Sequence, residues 1–147
     1  MKALFMNIWL FPILFMLHDF EEILIVNAWQ RKNKQYIEGR KGKYIPFNFK
    51  GSTAAFSVGI AEEFVIISVV VVLSCLFNSY VVWFGLFIAF IIHLFLHIFM
   101  SISFKKYVPG VVTSILFIPP CCFIVYKFNV LLHYNITTLL LSIVVLV

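Results

Sequence analysis

Residues Ala3 to Val26 read ALFMNIWLFPILFMLHDFEEILIV. The run is long enough to cross a bilayer, which takes about 20 apolar residues in a helix. It nevertheless carries His18-Asp19-Phe20-Glu21-Glu22 near its end. Ionisable side chains inside a membrane segment are costly and therefore mark a site. On a helix, His18, Glu21 and Glu22 stand at i, i+3 and i+4 and project from one face.

The rest of the chain sets the class. It has 147 residues, 63% of them hydrophobic, with 18 phenylalanines and only 12% charged residues, and its mean hydropathy is +1.07. This composition excludes a soluble globular protein and leaves no length for a large extramembrane domain. The expected fold is an all-α, polytopic transmembrane helix bundle of about five helices in a single domain, 1–147. The spans fall at about 3–27, 52–77, 80–104, 108–126 and 129–147; four helices with a re-entrant tail are the alternative. The first run lacks a small-x-small cleavage pattern and reads as a retained helix, not a signal peptide. Pro12 is expected to kink it, and Pro119-Pro120 to break the fourth helix near its far end, while Pro109-Gly110 opens that helix. Cys75, Cys121 and Cys122 lie in apolar segments without metal or disulfide spacing and read as packing residues.

Between the first two spans, residues 29–50 carry Arg31, Lys32, Lys34, Arg40, Lys41, Lys43 and Lys50 against the single acid Glu38. Such an excess of bases marks a cytoplasmic loop, so the amino terminus is expected outside and Lys105-Lys106 on the inside. Trp29, Tyr36, Tyr44 and Phe47 are interleaved with the bases, which fits an interface on anionic lipid headgroups and not a nucleic-acid surface.

Orientation converts position into depth. At 1.5 Å per residue, Glu22 and His18 lie roughly 8 and 14 Å from the cytoplasmic end of the first span, Glu62 and Glu63 roughly 15 Å along the second, and His97 and His93 roughly 11 and 17 Å from the end of the third. The polar groups of three helices thus share one layer. Five of the six acids, Asp19, Glu21, Glu22, Glu62 and Glu63, fall inside the membrane, and none of the eleven bases does. Protonation, a water-filled cavity or a bound cation must offset that excess. Imidazole with carboxylate suits zinc, iron or manganese, and His93 and His97 at i, i+4 can share an ion. The expected metal ligands are His18, Glu22, Glu63, His93 and His97, with the catalytic carboxylates drawn from Glu21, Glu22, Glu62 and Glu63. Asp19 points away from the His18 and Glu22 face, His133 lies away from the layer, and Thr113 and Ser114 are placed to donate hydrogen bonds toward it.

His18-Asp19-Phe20-Glu21-Glu22 resembles the motif that names the HXXEE domain family, small multi-pass bacterial membrane proteins of unknown function. The acid-bearing second helix and the His-x-x-x-His at His93 and His97 extend the similarity over roughly residues 10–115. The resemblance implies a multi-pass protein of the bacterial cytoplasmic membrane and carries over His18, Glu21 and Glu22 as motif residues, with Glu62, Glu63, His93 and His97 beside them. It supplies no substrate. Clustered glutamates before membrane histidines also look loosely like the intramembrane prenyl-endopeptidase relatives, but Glu62-Glu63 is followed by Phe64-Val65-Ile66-Ile67, without the arginine of that pattern. Two classes of function are compatible with the residues. One is a metal-dependent membrane enzyme, a hydrolase before an oxidoreductase, acting on a lipid or hydrophobic peptide with a spare glutamate as general base. The other is non-enzymatic binding, transport or sensing of a metal ion or proton. The outer half of the helices carries no polar trail, which disfavours a through-pathway.

Overall fold

The computed structural model describes residues 2–39, 47 and 51–132. Among them four helices follow in order: α1, Lys2–Glu38; α2, Thr53–Phe77; α3, Val81–Phe104; and α4, Val111–Leu132. The expected fifth segment, 129–147, lies beyond the described residues apart from its first positions, which belong to α4. Three helices, Thr53–Phe77, Val81–Phe104 and Val111–Val130, are long and apolar enough to cross a membrane. The protein is an all-α membrane protein. Large apolar side chains such as Leu24, Phe77 and Ile102 are more than two-thirds exposed on the outside of the bundle, where lipid is their natural solvent.

Two helix extents differ from the sequence expectation. α1 does not stop at Asn27 but runs to Glu38, so the start of the basic stretch is helix. At 1.5 Å per residue its 37 residues span about 55 Å, well beyond a hydrocarbon core of about 30 Å. Tertiary contacts hold the extension in place. Trp29 and Tyr36 pack on Phe104 with ring centroids 5.1 and 4.8 Å away, and the Tyr36 hydroxyl donates to the Phe104 carbonyl. At the other end of the chain, α4 passes through Pro119-Pro120 and Lys127 without breaking. Each proline removes one i to i−4 hydrogen bond, a loss that the remaining turns and the packed face of the helix absorb.

The turns are set by local chemistry. Ser52 caps α2, its hydroxyl accepting from the Ala55 amide at 3.1 Å. Asn78 and Lys105 end α2 and α3 in the left-handed region, at φ 51° and 56°, a common way to close a helix. Pro109-Gly110 is a turn before α4 and not its first turn; Gly110 has φ +84°, open to glycine at little cost.

α1 and α3 run in the same direction, and their side chains match in register. Phe11 meets Phe87 and Phe90 at 5.1 and 5.6 Å, Phe15 meets Phe90 at 6.1 Å, His18 meets His93 and His97, and Trp29 meets Phe104. In the half away from the bases, Trp83 stacks on Phe128 and Phe87 at 4.4 and 5.0 Å to fill the core. At the basic end, Trp29, Phe104 and Val108 form a second apolar cluster. The histidines therefore lie between two hydrophobic plugs.

Candidate functional site

His18 and Glu22 are one turn apart on α1, and His93 and His97 one turn apart on α3. His18, Glu22 and His97 are buried, whereas the His93 side chain is 46% exposed. One ligand atom from each of the four lies within 4.8 Å of all the others. Glu22 Oε1 is 2.8 Å from His97 Nε2, 3.4 Å from His18 Nε2 and 3.7 Å from His93 Nε2, and the Nε2 atoms of His93 and His97 are 2.9 Å apart.

Hydrogen bonds on the far sides of two rings determine what faces inward. His97 Nδ1 lies 2.8 Å from the Pro109 carbonyl oxygen. A carbonyl only accepts, so Nδ1 carries a proton, and in the neutral form of the ring Nε2 is bare. His18 Nδ1 lies 2.8 Å from Thr113 Oγ1. The one hydroxyl hydrogen of Thr113 goes to an acceptor, Glu21 Oε2 at 2.6 Å or the Gly110 carbonyl at 3.2 Å. Toward His18 that hydroxyl accepts, and His18 Nε2 is bare as well. His18 Nε2 and Glu22 Oε1 are buried without a hydrogen-bond partner among the described residues. Lone pairs thus converge on one point, and a buried polar atom left unpaired costs about 1–3 kcal/mol.

A cation would satisfy this convergence. Four ligands at about 2.0–2.1 Å in a tetrahedron are separated by roughly 3.3 Å along each edge; the three separations from Glu22 Oε1, 2.8–3.7 Å, bracket that value, and all four ligand atoms lie within 4.8 Å of one another. The four residues could hold a metal ion, and three imidazoles with one carboxylate match zinc, iron or manganese.

Glu21 plays a different part from its neighbour. Its carboxylate accepts from the Thr113 amide at 2.8 Å and hydroxyl at 2.6 Å, from the Tyr107 hydroxyl at 2.6 Å and from the Val112 amide at 3.4 Å. The amides are free donors of the first turn of α4, where a negative charge is favoured. Burial first, and then the Glu21 carboxylate, push the Tyr107 phenol well up, so it stays a donor. From Glu21 the chain of contacts runs through Thr113 to His18, as outer partners of metal-bound histidines usually do.

Gly110 closes the wall. A Cβ there would fall 2.7 Å from His97 Nδ1 and 2.9 Å from Glu22 Oε1, so this backbone sits against the site because it has no side chain. On the side of His93 a cavity of about 560 Å³ opens, bounded by Phe47, Phe56, Leu96, Phe99 and Met100 together with Glu22, His93 and His97. That volume is in the range of small-molecule sites, about 300–1,000 Å³.

Of the residues expected from sequence, His18, Glu22, His93 and His97 come together. Glu63, expected as a fifth ligand, is not in that group, and both Glu62 and Glu63 are exposed on α2. Asp19 is buried, its Oδ2 without a partner among the described residues, and it is within electrostatic range of Glu22, His93 and Glu63. Ser114 donates to the Gly110 carbonyl of its own helix, not to the site. His133 lies outside the described residues. Tyr107, Gly110 and the Pro109 carbonyl are not among the expected site residues; a Pro-Gly turn directly before α4 is the available signal, whereas a backbone carbonyl leaves no mark in a sequence.

A family described as "Protein of unknown function with HXXEE motif" matches residues 9–125. The chain belongs to the HXXEE family. Within the HXXEE motif the first and last residues, His18 and Glu22, face each other in the four-residue group, while Glu21 anchors α4. No curated protein and no solved structure matches the chain.

Proposed function

We propose that this HXXEE protein is a metal-dependent membrane hydrolase, with the amino terminus outside and its centre in the cytoplasmic half of the bacterial plasma membrane. The observation that carries the reading is the meeting of His18 Nε2 and His97 Nε2 with Glu22 Oε1 in a buried place that no Lys or Arg reaches among the described residues. A cation held there would lower the pKa of a bound water and polarise a carbonyl.

The chain's own residues divide the remaining work. His18, Glu22 and His97 would hold the cation from the buried side, and His93 stands at the open side beside the cavity. The two apolar clusters keep bulk water out. Glu21, with four donors on its oxygens, positions and does not act as a base. Asp19 and Glu63 are the carboxylates left to take the proton of the attacking water. In an ester, the water oxygen bonds to the carbonyl carbon, the carbon–oxygen bond to the alcohol breaks, and the proton passes through the carboxylate to the departing alcohol.

One observation favours a second reading, non-enzymatic metal binding, sensing or transport: four protein ligands suffice for a closed tetrahedral site. Elemental analysis of the purified protein, with X-ray absorption to count ligands, separates the two. One zinc, iron or manganese per chain with an additional oxygen ligand supports the hydrolase; a metal with protein ligands alone supports the binder; a folded protein without metal overturns both.

A further inference from the structure

The cavity beside His93 lies between α2 and α3. Its apolar walls are Phe56 near the start of α2, Leu96, Phe99 and Met100 on the last third of α3, and Phe47. Leu96 and Phe99 are 51% and 66% exposed, and on membrane helices that exposure faces hydrocarbon. A groove with an apolar mouth toward lipid and ligands on its inner wall admits a hydrocarbon chain sideways from the bilayer.

The charges at the near end select among chains by their headgroups. Just past Met100, the Ser101 hydroxyl donates to the Lys106 carbonyl at 3.0 Å, which places Lys105 and Lys106, both exposed, one turn beyond the groove. Lys106 Nζ stands 4.3 Å from the Tyr36 ring centroid and so joins the exposed Arg31, Lys32 and Lys34 of the α1 extension. Among the described residues the acid of that extension is Glu38, which pairs with Lys34 at 4.0 Å. Lys105 is about 12 Å along α3 from His97, a gap that a lysine side chain and a glycerol phosphate group can bridge together.

We propose that the groove takes one hydrocarbon chain of an anionic membrane lipid, with the headgroup at Lys105 and Lys106 and the linkage between chain and headgroup against His93. The inference rests on the hydrolase reading for the fate of that linkage, but capture of the chain is measurable without turnover.

The test uses the full-length protein in phosphatidylcholine vesicles containing a trace of lipid with a diazirine on its acyl chain, supplied on phosphatidylglycerol or on phosphatidylcholine. After illumination, adducts are mapped by peptide mass spectrometry and the metal content of the same sample is measured. The expected result is labelling concentrated around Phe56 and Leu96–Phe99, several-fold greater from phosphatidylglycerol. Leu96→Trp should fill the groove and remove most of it with the metal content unchanged. The Lys105→Gln/Lys106→Gln pair should abolish the preference for the anionic lipid and leave chain capture in place. Labelling spread evenly over lipid-facing positions such as Val69 and Phe77 and indifferent to Leu96→Trp overturns the groove, and equal capture of both lipids overturns the headgroup assignment. Metal without capture refutes this inference alone, whereas capture without metal supports it and refutes the hydrolase.

Discussion

His97 Nδ1 donates to the carbonyl oxygen of Pro109 at 2.8 Å, so the turn before α4 fixes which nitrogen of the α3 histidine faces Glu22. Replacing His97 by Ala removes the ligand together with its hydrogen bond to the turn. The metal content should fall from about one ion per chain to background. Because a ligand present at 1,000 times its Kd stabilises by about 4 kcal/mol, the variant should unfold at the same temperature with and without chelator, and the wild type should not. Chelator-sensitive unfolding of His97→Ala would disprove its place in the site.

Thr113 passes the orientation of Glu21 on to His18. Thr113→Val keeps the shape and removes the hydroxyl, and loss of such an outer partner costs about 10–100-fold in metal affinity. Thr113→Ser should restore most of it. Competition with a fluorescent chelator reads both, and equal affinities for Val and Ser would remove the relay.

At Gly110 two effects act together. The φ of +84° strains any residue with a Cβ by about 1–3 kcal/mol, and the added carbon would fall 2.7 Å from His97 Nδ1. Gly110→Ala should therefore lose both stability and metal. Retention of full metal content in denaturant titrations of the variant would mean that the turn can retreat.

Tyr107→Phe leaves Glu21 one donor short. A hydrogen bond to a charged group contributes about 1.5–3 kcal/mol, and the variant should lose a comparable amount in thermal or denaturant unfolding while still binding one ion per chain. Loss of the ion would place Tyr107 closer to the centre than its contact with Glu21 indicates.

Glu63→Gln and Asp19→Asn should leave the metal content unchanged, in contrast to Glu22→Gln, since neither Glu63 nor Asp19 belongs to the four-residue group. If Glu63→Gln lowers metal content as much as Glu22→Gln, α2 must rotate to bring a fifth ligand in.

Spacing and depth made His18, Glu22, His93 and His97 legible, because residues four apart on a helix share a face and two parallel helices bring equal depths together. The same reasoning does not separate Glu63 from the four-residue group it lies outside. Depth is a coordinate along the axis, whereas rotation about it is read from an apolar stripe, and α2 is apolar on every side, so nothing in its sequence says which way Glu63 turns. The α1 extension failed for another reason. Polarity after Asn27 marks where the helix leaves lipid, not where it ends, and contacts of Trp29 and Tyr36 with Phe104 decide the latter.

The anchoring of Glu21 to α4 has a consequence in time. Its partners Tyr107 and Thr113 come 86 and 92 residues later in the chain. At a synthesis rate of about 5–20 residues per second, α1 waits in the nascent protein for roughly 5–20 s before the segment that donates to Glu21 has been made. A ribosome stalled short of Tyr107 would hold a first helix whose Glu21 has neither the Tyr107 hydroxyl nor the first turn of α4 to accept from.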